Sequence, residues 1–170
     1  MEKNSKFFAL SILMLTFTVS TFAQVTATAT ATAVIITPIA ISKTVDMNFR
    51  NVASGPTIVG TVVLTPASTR TATGSCTLPA VTGTVTAASF TVTGLGTSTY
   101  SITLPVGATT ITSGGNTMTV DTWTSTPTPT GVLAAGTSTL LVGATLHAGI
   151  SQAPGTYVSG TPFSVTVNYN

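Results

Sequence analysis

Charge is the scarcest property of this sequence. Its 170 residues include five Lys or Arg and three Asp or Glu, 5% of the chain, where an ordinary soluble domain carries about 25%. Catalysis built on paired acids and bases has almost nothing to draw on, so no enzyme and no cofactor are expected. The formal charge of +2 is small and unclustered. Phosphate backbones are held by basic patches, so nucleic acid is not an expected partner. A single cysteine, Cys76, excludes an internal disulfide. Aromatics are 6%, thin for the two interfacial girdles of a transmembrane barrel. Beyond residue 23 no run of about 18 apolar residues occurs, so no membrane-spanning helix is expected there. Glu, Lys, Arg and Gln are few, and no 3.6-residue pattern is sustained.

Threonine fills the space, with 40 residues. Hydrophobic content is 43%, enough to build a core and unlike a disordered polyelectrolyte. The length suits about one domain.

Residues 1–23 read as a secretory signal peptide. Lys3 and Lys6 form a positive start, residues 7–19 an apolar stretch too short to cross a bilayer, and Thr21-Phe22-Ala23 a small-residue cleavage site before Gln24. The residue directly after that site is Gln24 and not cysteine, which argues against a lipid anchor. The expected location is secreted or at the cell surface, in the periplasm or on the outer surface. Cleavage would leave five charges: Lys43, Asp46, Arg50, Arg70 and Asp121.

Thr and Val are β-branched and suit a pleated surface, and alternation of period two recurs. Strands are expected over residues 58–65, 75–78, 89–92, 99–104, 117–124, 139–146 and 163–169. In the first, Val62 and Leu64 share one face and Thr61, Val63 and Thr65 the other. Gly55-Pro56, Thr73-Gly74, Gly94-Leu95-Gly96, Gly114-Gly115-Asn116, Gly131 and Gly136 punctuate them. Short strands at this spacing point to an all-β fold, an antiparallel sandwich.

The two ends differ from the middle. Residues 24–33 are a low-complexity Thr/Ala stretch before a domain expected over 34–170. As a strand it would set Val25, Ala27, Ala29, Ala31, Ala33 and Ile35 on one side. Such a strand needs a sheet edge. Either its own sheet supplies one, or another chain does so by strand addition, or the stretch is a flexible spacer; the sequence leaves all three open. At the other end Phe163, Val165, Val167 and Tyr169 alternate with Ser164, Thr166 and Asn168. This is the last core strand of a sandwich, or an assembly strand. Exported pilus subunits often finish in an alternating apolar strand with a penultimate Tyr gripped by a periplasmic chaperone, and Tyr169 is penultimate.

Chemistry-bearing residues are few: after residue 23, one His, one Cys, two Asp and no Glu. A zinc site takes three or four ligands, and His147, Cys76, Asp46 and Asp121 have no motif spacing, so no metal site is expected. Cys76 lies in an expected strand and reads as a buried small hydrophobe, although an odd cysteine can also cross-link chains. His147 ends an apolar strand and reads as solvated; with Cys76 it is the one conceivable nucleophile–base pair. By strict alternation Trp123 shares parity with Thr117, Thr119 and Asp121, opposite Met118 and Val120. That makes it either an exposed platform for a sugar ring or protein partner, or, if a bulge intervenes, a residue packed under the Pro127/Pro129 loop.

An ordered series of short segments then carries a family resemblance. It comprises Asp46-Met47-Asn48-Phe49, Gly60-Thr61-Val62-Val63-Leu64, Ser89-Phe90-Thr91-Val92-Thr93-Gly94, Tyr100-Ser101-Ile102-Thr103-Leu104-Pro105, Met118-Thr119-Val120, Val142-Gly143-Ala144-Thr145-Leu146 and Gly155-Thr156-Tyr157, leading into residues 163–169. The chain from about residue 34 resembles the exported bacterial family called domain of unknown function 4402. One departure is Arg50, where the resemblance implies a glycine after Phe49. The resemblance implies an immunoglobulin-like β-sandwich of the fimbrial-subunit kind and assigns no activity. The expected function is a non-enzymatic, fimbria-like surface subunit that self-associates or joins related subunits by terminal strand addition. The alternative is a carbohydrate- or surface-binding adhesive module using Trp123.

Overall fold

The computed structural model describes residues 23–80 and 83–170. The expected signal peptide, residues 1–23, lies outside the described residues apart from Ala23. The chain divides into two units, residues 1–34 and 35–170. In the first, residues 23–34 form no strand, and Val25 and Val34 are 91% and 88% exposed. The own-sheet strand expected as one alternative for residues 24–33 is therefore not formed.

The second unit is all-β. Its described residues form no helix and thirteen strands: β1 (Ala40–Val45), β2 (Ala53–Ser54), β3 (Gly60–Leu64), β4 (Arg70–Gly74), β5 (Cys76–Thr77), β6 (Ala88–Thr93), β7 (Thr99–Thr103), β8 (Thr109–Ser113), β9 (Asn116–Thr126), β10 (Thr130–Val132), β11 (Thr137–Ala148), β12 (Val158–Ser159) and β13 (Thr166–Tyr169). Every pairing is antiparallel. An eight-stranded sheet runs β1-β6-β11-β9-β8-β12, with β3 joining β11 and β4 joining β3; a second sheet runs β10-β7-β13, and β2 pairs β5.

Alternation places the core between the sheets. From the large sheet Ala88, Val92, Leu140 and Val142 point inward; from the smaller one Tyr100 and Val167 meet them, with Leu133 alongside. A second cluster joins Val62, Val120, Ala144, Leu146 and Ala148 to Cys76 of β5. Met47 and Trp123 pack against both clusters. Side chains from two sheets sharing one interior make this a sandwich, and each fully buried large apolar side chain contributes about 1.5–3 kcal/mol. Val62 and Leu64 are fully buried while Val63 is exposed, the facing that alternation predicts.

The C-terminal strand is shorter than expected. Its ladder with β7 covers only Thr166–Tyr169. Extending that register puts Ser164 opposite Pro105, which has no N–H to donate, so the ladder stops. Phe163 and Val165 still pack against the core. Strands β1, β2, β4, β8, β10 and β12 lie outside the expected set. β4 (Arg-Thr-Ala-Thr-Gly) and β8 (Thr-Thr-Ile-Thr-Ser) place one apolar side chain each among threonines, leaving alternation little contrast.

Two backbone positions are tightly specified. Gly131 of β10 stands opposite Tyr100 of β7, and a Cβ there would collide with the Tyr100 ring. Tyr100 is fully buried, with its hydroxyl donating to Ser138 Oγ at 3.0 Å. Arg50 has φ of 56°, in the left-handed region that favours glycine. Its N–H donates to Asn48 Oδ1 at 2.8 Å, an Asx turn. The family's expected glycine at this position thus has a conformational reason.

Gly131→Ala is expected to cost about 1–3 kcal/mol, the range for overpacking a filled core, read as a lower urea midpoint. Arg50→Gly is expected to be more stable than Arg50→Ala by about 1 kcal/mol, since both lose the side chain and only glycine adopts positive φ freely. Equal stability of the two would show that the turn carries no such strain.

Candidate functional site

The candidate site begins with a break in alternation on β9. Against β11, Gly143 pairs Thr124 and Thr145 pairs Asp121, so Thr122 and Trp123 together oppose Ala144. This is a β-bulge, with Thr122 at φ 51°. Before it Met118 and Val120 face inward; after it Trp123 and Ser125 do. Strict alternation put Trp123 on the polar face, and the extra residue overturns that parity. Its ring is half-buried and lies 4.4 Å from that of Phe163, centroid to centroid. Its Nε1–H donates to the Gly107 carbonyl at 3.1 Å. Trp123 is packed between Phe163 and the 107 turn rather than standing out as a platform.

The bulge also sets what faces outward. Asp121, opposite Thr145, is the diagonal neighbour of His147, itself opposite Thr119. His147 Nε2 lies 2.7 Å from Asp121 Oδ1, and Thr122 Oγ1 donates to the same oxygen at 2.8 Å. The two side chains are 43% and 35% exposed. These bonds, His147 first and Thr122 second, hold the Asp121 carboxyl below its usual range against a smaller opposing effect of burial. An ionised carboxylate accepts only, so Nε2 carries the proton toward it.

Threonines flank the pair. The registers align Thr73, Thr61, His147, Thr119 and Thr110 in one row across β4, β3, β11, β9 and β8. Thr61 and Thr73 join hydroxyls at 2.6 Å. A cleft of about 330 Å³ adjoins the row, lined by Val59, Thr61, Thr117, Thr119, His147 and Gln152 among others. Gln152 is held rigidly: its Oε1 accepts from Gly149 N–H, and its Nε2 donates to the Thr117 carbonyl and to Tyr157 Oη. A larger cleft along β8, lined by residues such as Thr110, Thr112 and Pro162, holds no titratable side chain.

The other candidate residues lie apart. Cys76 is buried in the second core cluster beside Leu146 and Ala148, and burial pushes its thiol pKa up. His147 lies on the face of β11 opposite to Leu146 and Ala148, so Cys76 and His147 form no nucleophile–base pair. Asp46 binds Lys43 at 2.6 Å and does not meet Asp121. Among the described residues no three His, Cys, Asp or Glu side chains stand together as metal ligands. No helix among them is long and apolar enough to cross a membrane.

The terminal residues meet different fates. Val167 is buried and Phe163, Val165 and Tyr169 are partly buried, whereas Val25, Ala27, Ala29 and Ala31 are exposed. Tyr169 Oη donates to the Thr37 carbonyl at 2.9 Å and accepts from Leu95 N–H at 2.6 Å. The Asp121–His147 pair escapes sequence reading because 26 residues separate its members. Local alternation could place each on an outer face but could not make them neighbours.

A carboxyl with a lower pKa in the folded than in the unfolded chain stabilises above the ordinary value of about 4 and loses that contribution as pH falls through its folded value. Asp121→Asn is therefore expected to be less stable than the native chain at pH 7, with the gap closing below about pH 4. Urea unfolding at several pH values checks this; a pH-independent gap would mean that the ionised carboxylate contributes nothing.

No curated protein and no solved structure matches the chain. One family model does, across residues 39–169, from just before β1 to the end of β13. The chain thus belongs to the family described as Domain of unknown function (DUF4402).

Proposed function

We propose that this protein is a non-enzymatic, exported cell-surface subunit, fimbria-like, whose copies assemble by adding the alternating N-terminal segment of one to an open sheet edge of the next. The observation that carries this reading is the free edge of β13. Among the described residues β13 pairs only with β7, and β1, the terminal strand of the large sheet, pairs only with β6. Around these edges Ile39, Ile41, Phe163, Val165 and Tyr169 pack against the core yet remain partly exposed. An added strand would complete the backbone ladder and cover them. The segment with Val25, Ala27, Ala29 and Ala31 on one side suits that role: small side chains enter a shallow groove without clash, and the segment forms no strand of its own.

The other terminal residues act as acceptor, with Phe163, Val165, Val167 and Tyr169 forming the wall against which the added strand lies. A periplasmic chaperone holding this strand would act before Tyr169 closes onto Thr37 and Leu95. Scarce charge supports self-association, since like copies repel little. Export rests on the signal-peptide character of residues 1–23.

Deleting residues 24–33 tests the reading. Unboiled gels of the native chain are expected to show a ladder of oligomers, and the deletion is expected to leave monomer with unchanged thermal unfolding. An oligomer distribution identical in both would overturn strand addition by this segment.

A further inference from the structure

We propose that the outer face around His147 is a binding site for a neutral carbohydrate. The wall of the adjoining cleft is pre-organised: Gln152 spends its amide on three partners, and its N–H donates to Ser54 Oγ at 2.7 Å. The His147 ring is oriented as well. Its Nε2 is committed to Asp121, which leaves Nδ1, without a protein partner among the described residues, as an acceptor. Thr61, Thr117 and Thr119 add hydroxyls that both donate and accept, and Val59, 65% exposed, supplies an apolar wall. Acceptors beside hydroxyls and an apolar flank match the hydroxyl groups and C–H faces of a sugar.

Charge selects the class of ligand. No Lys or Arg lines the cleft, and the charged group bonded to His147 is the Asp121 carboxylate, so an anion finds no counter-charge in the lining. The volume, about 330 Å³, lies at the small end of ligand sites and fits one or two sugar rings. The row of Thr73, Thr61, His147, Thr119 and Thr110 continues the polar surface beyond the cleft, along which a longer chain would lie. The site is built on β3, β11 and β9, away from the free edges of β1 and β13, so it stands whether or not copies assemble. Assembled copies would present it repeatedly, raising avidity.

Native gels cast with a soluble mannan, a β-glucan or a galactan, run with the full exported chain, test the proposal. At least one polysaccharide is expected to retard the native chain. His147→Ala and the near-isosteric Thr61→Val are each expected to weaken that retardation about tenfold, the effect of losing one good hydrogen bond; Thr61→Val is expected to keep its thermal unfolding within a few degrees, and His147→Ala to unfold at a somewhat lower temperature through loss of its bond to Asp121. Should His147→Ala fail to fold, Thr61→Val decides. Retardation by none of the three, or retardation undiminished in the variants that fold, would overturn the site. Loss of retardation on deleting residues 24–33, with His147→Ala and Thr61→Val unaffected, would also overturn it, by tracing the binding to the assembly segment.

Discussion

The backbone ladder of β11 is the constraint on which the rest of the domain depends. Along one edge, residues 137–142 pair β6 and residues 144–148 pair β3, while the other edge pairs β9 over residues 141–147. One strand of twelve residues thus carries three partners, and both core clusters hang from its inward side chains. The handover falls at Gly143, where a Cβ would strike the Leu64 carbonyl and the backbone leaving β3 toward Pro66. Only a residue without a side chain admits that approach. The bulge of β9 lies opposite the same place, so one irregularity directs Trp123 into the core and Asp121 toward His147.

The sandwich closes unequally. Where β11, β9 and β3 meet, the core is fully covered, with Val62, Val142 and Leu146 at most 3% exposed. Where the sheets end in β1 and β13, apolar residues remain partly exposed and backbone groups face outward. Tyr169 ties the C-terminal strand to Thr37 and to the turn at Leu95, which holds that margin in shape without hydrogen-bonding its free edge. That shaped but incomplete margin motivates the proposed assembly.

The composition takes on a physical sense in this setting. Threonine meets two demands at once: its branched Cβ suits a strand, and its hydroxyl hydrates a surface that has few charges. On the outer face these hydroxyls line up across strands and bond one another, as Thr61 and Thr73 do. The same economy makes the Asp121–His147 pair conspicuous, because two of the few ionisable groups beyond residue 23 meet on one face.

Much of the fold was legible in the residues themselves. The all-β class, the inward facing of Val62 and Leu64 and the alternating burial of residues 163–169 all follow from period-two contrast, a local property that each strand carries within itself. Cys76 in the core follows from the small, apolar character of a free thiol placed in a strand. Strands such as β4 and β8 were not legible, since threonine among threonines gives no contrast. The side taken by Trp123, the meeting of Asp121 with His147 and the absence of a strand over residues 24–33 were decided only by the tertiary structure. Each depends on which strand lies alongside and in what register, and one inserted residue reverses every face after it. Period and composition determined what kind of strands these are; the neighbours of β11 decided what they present.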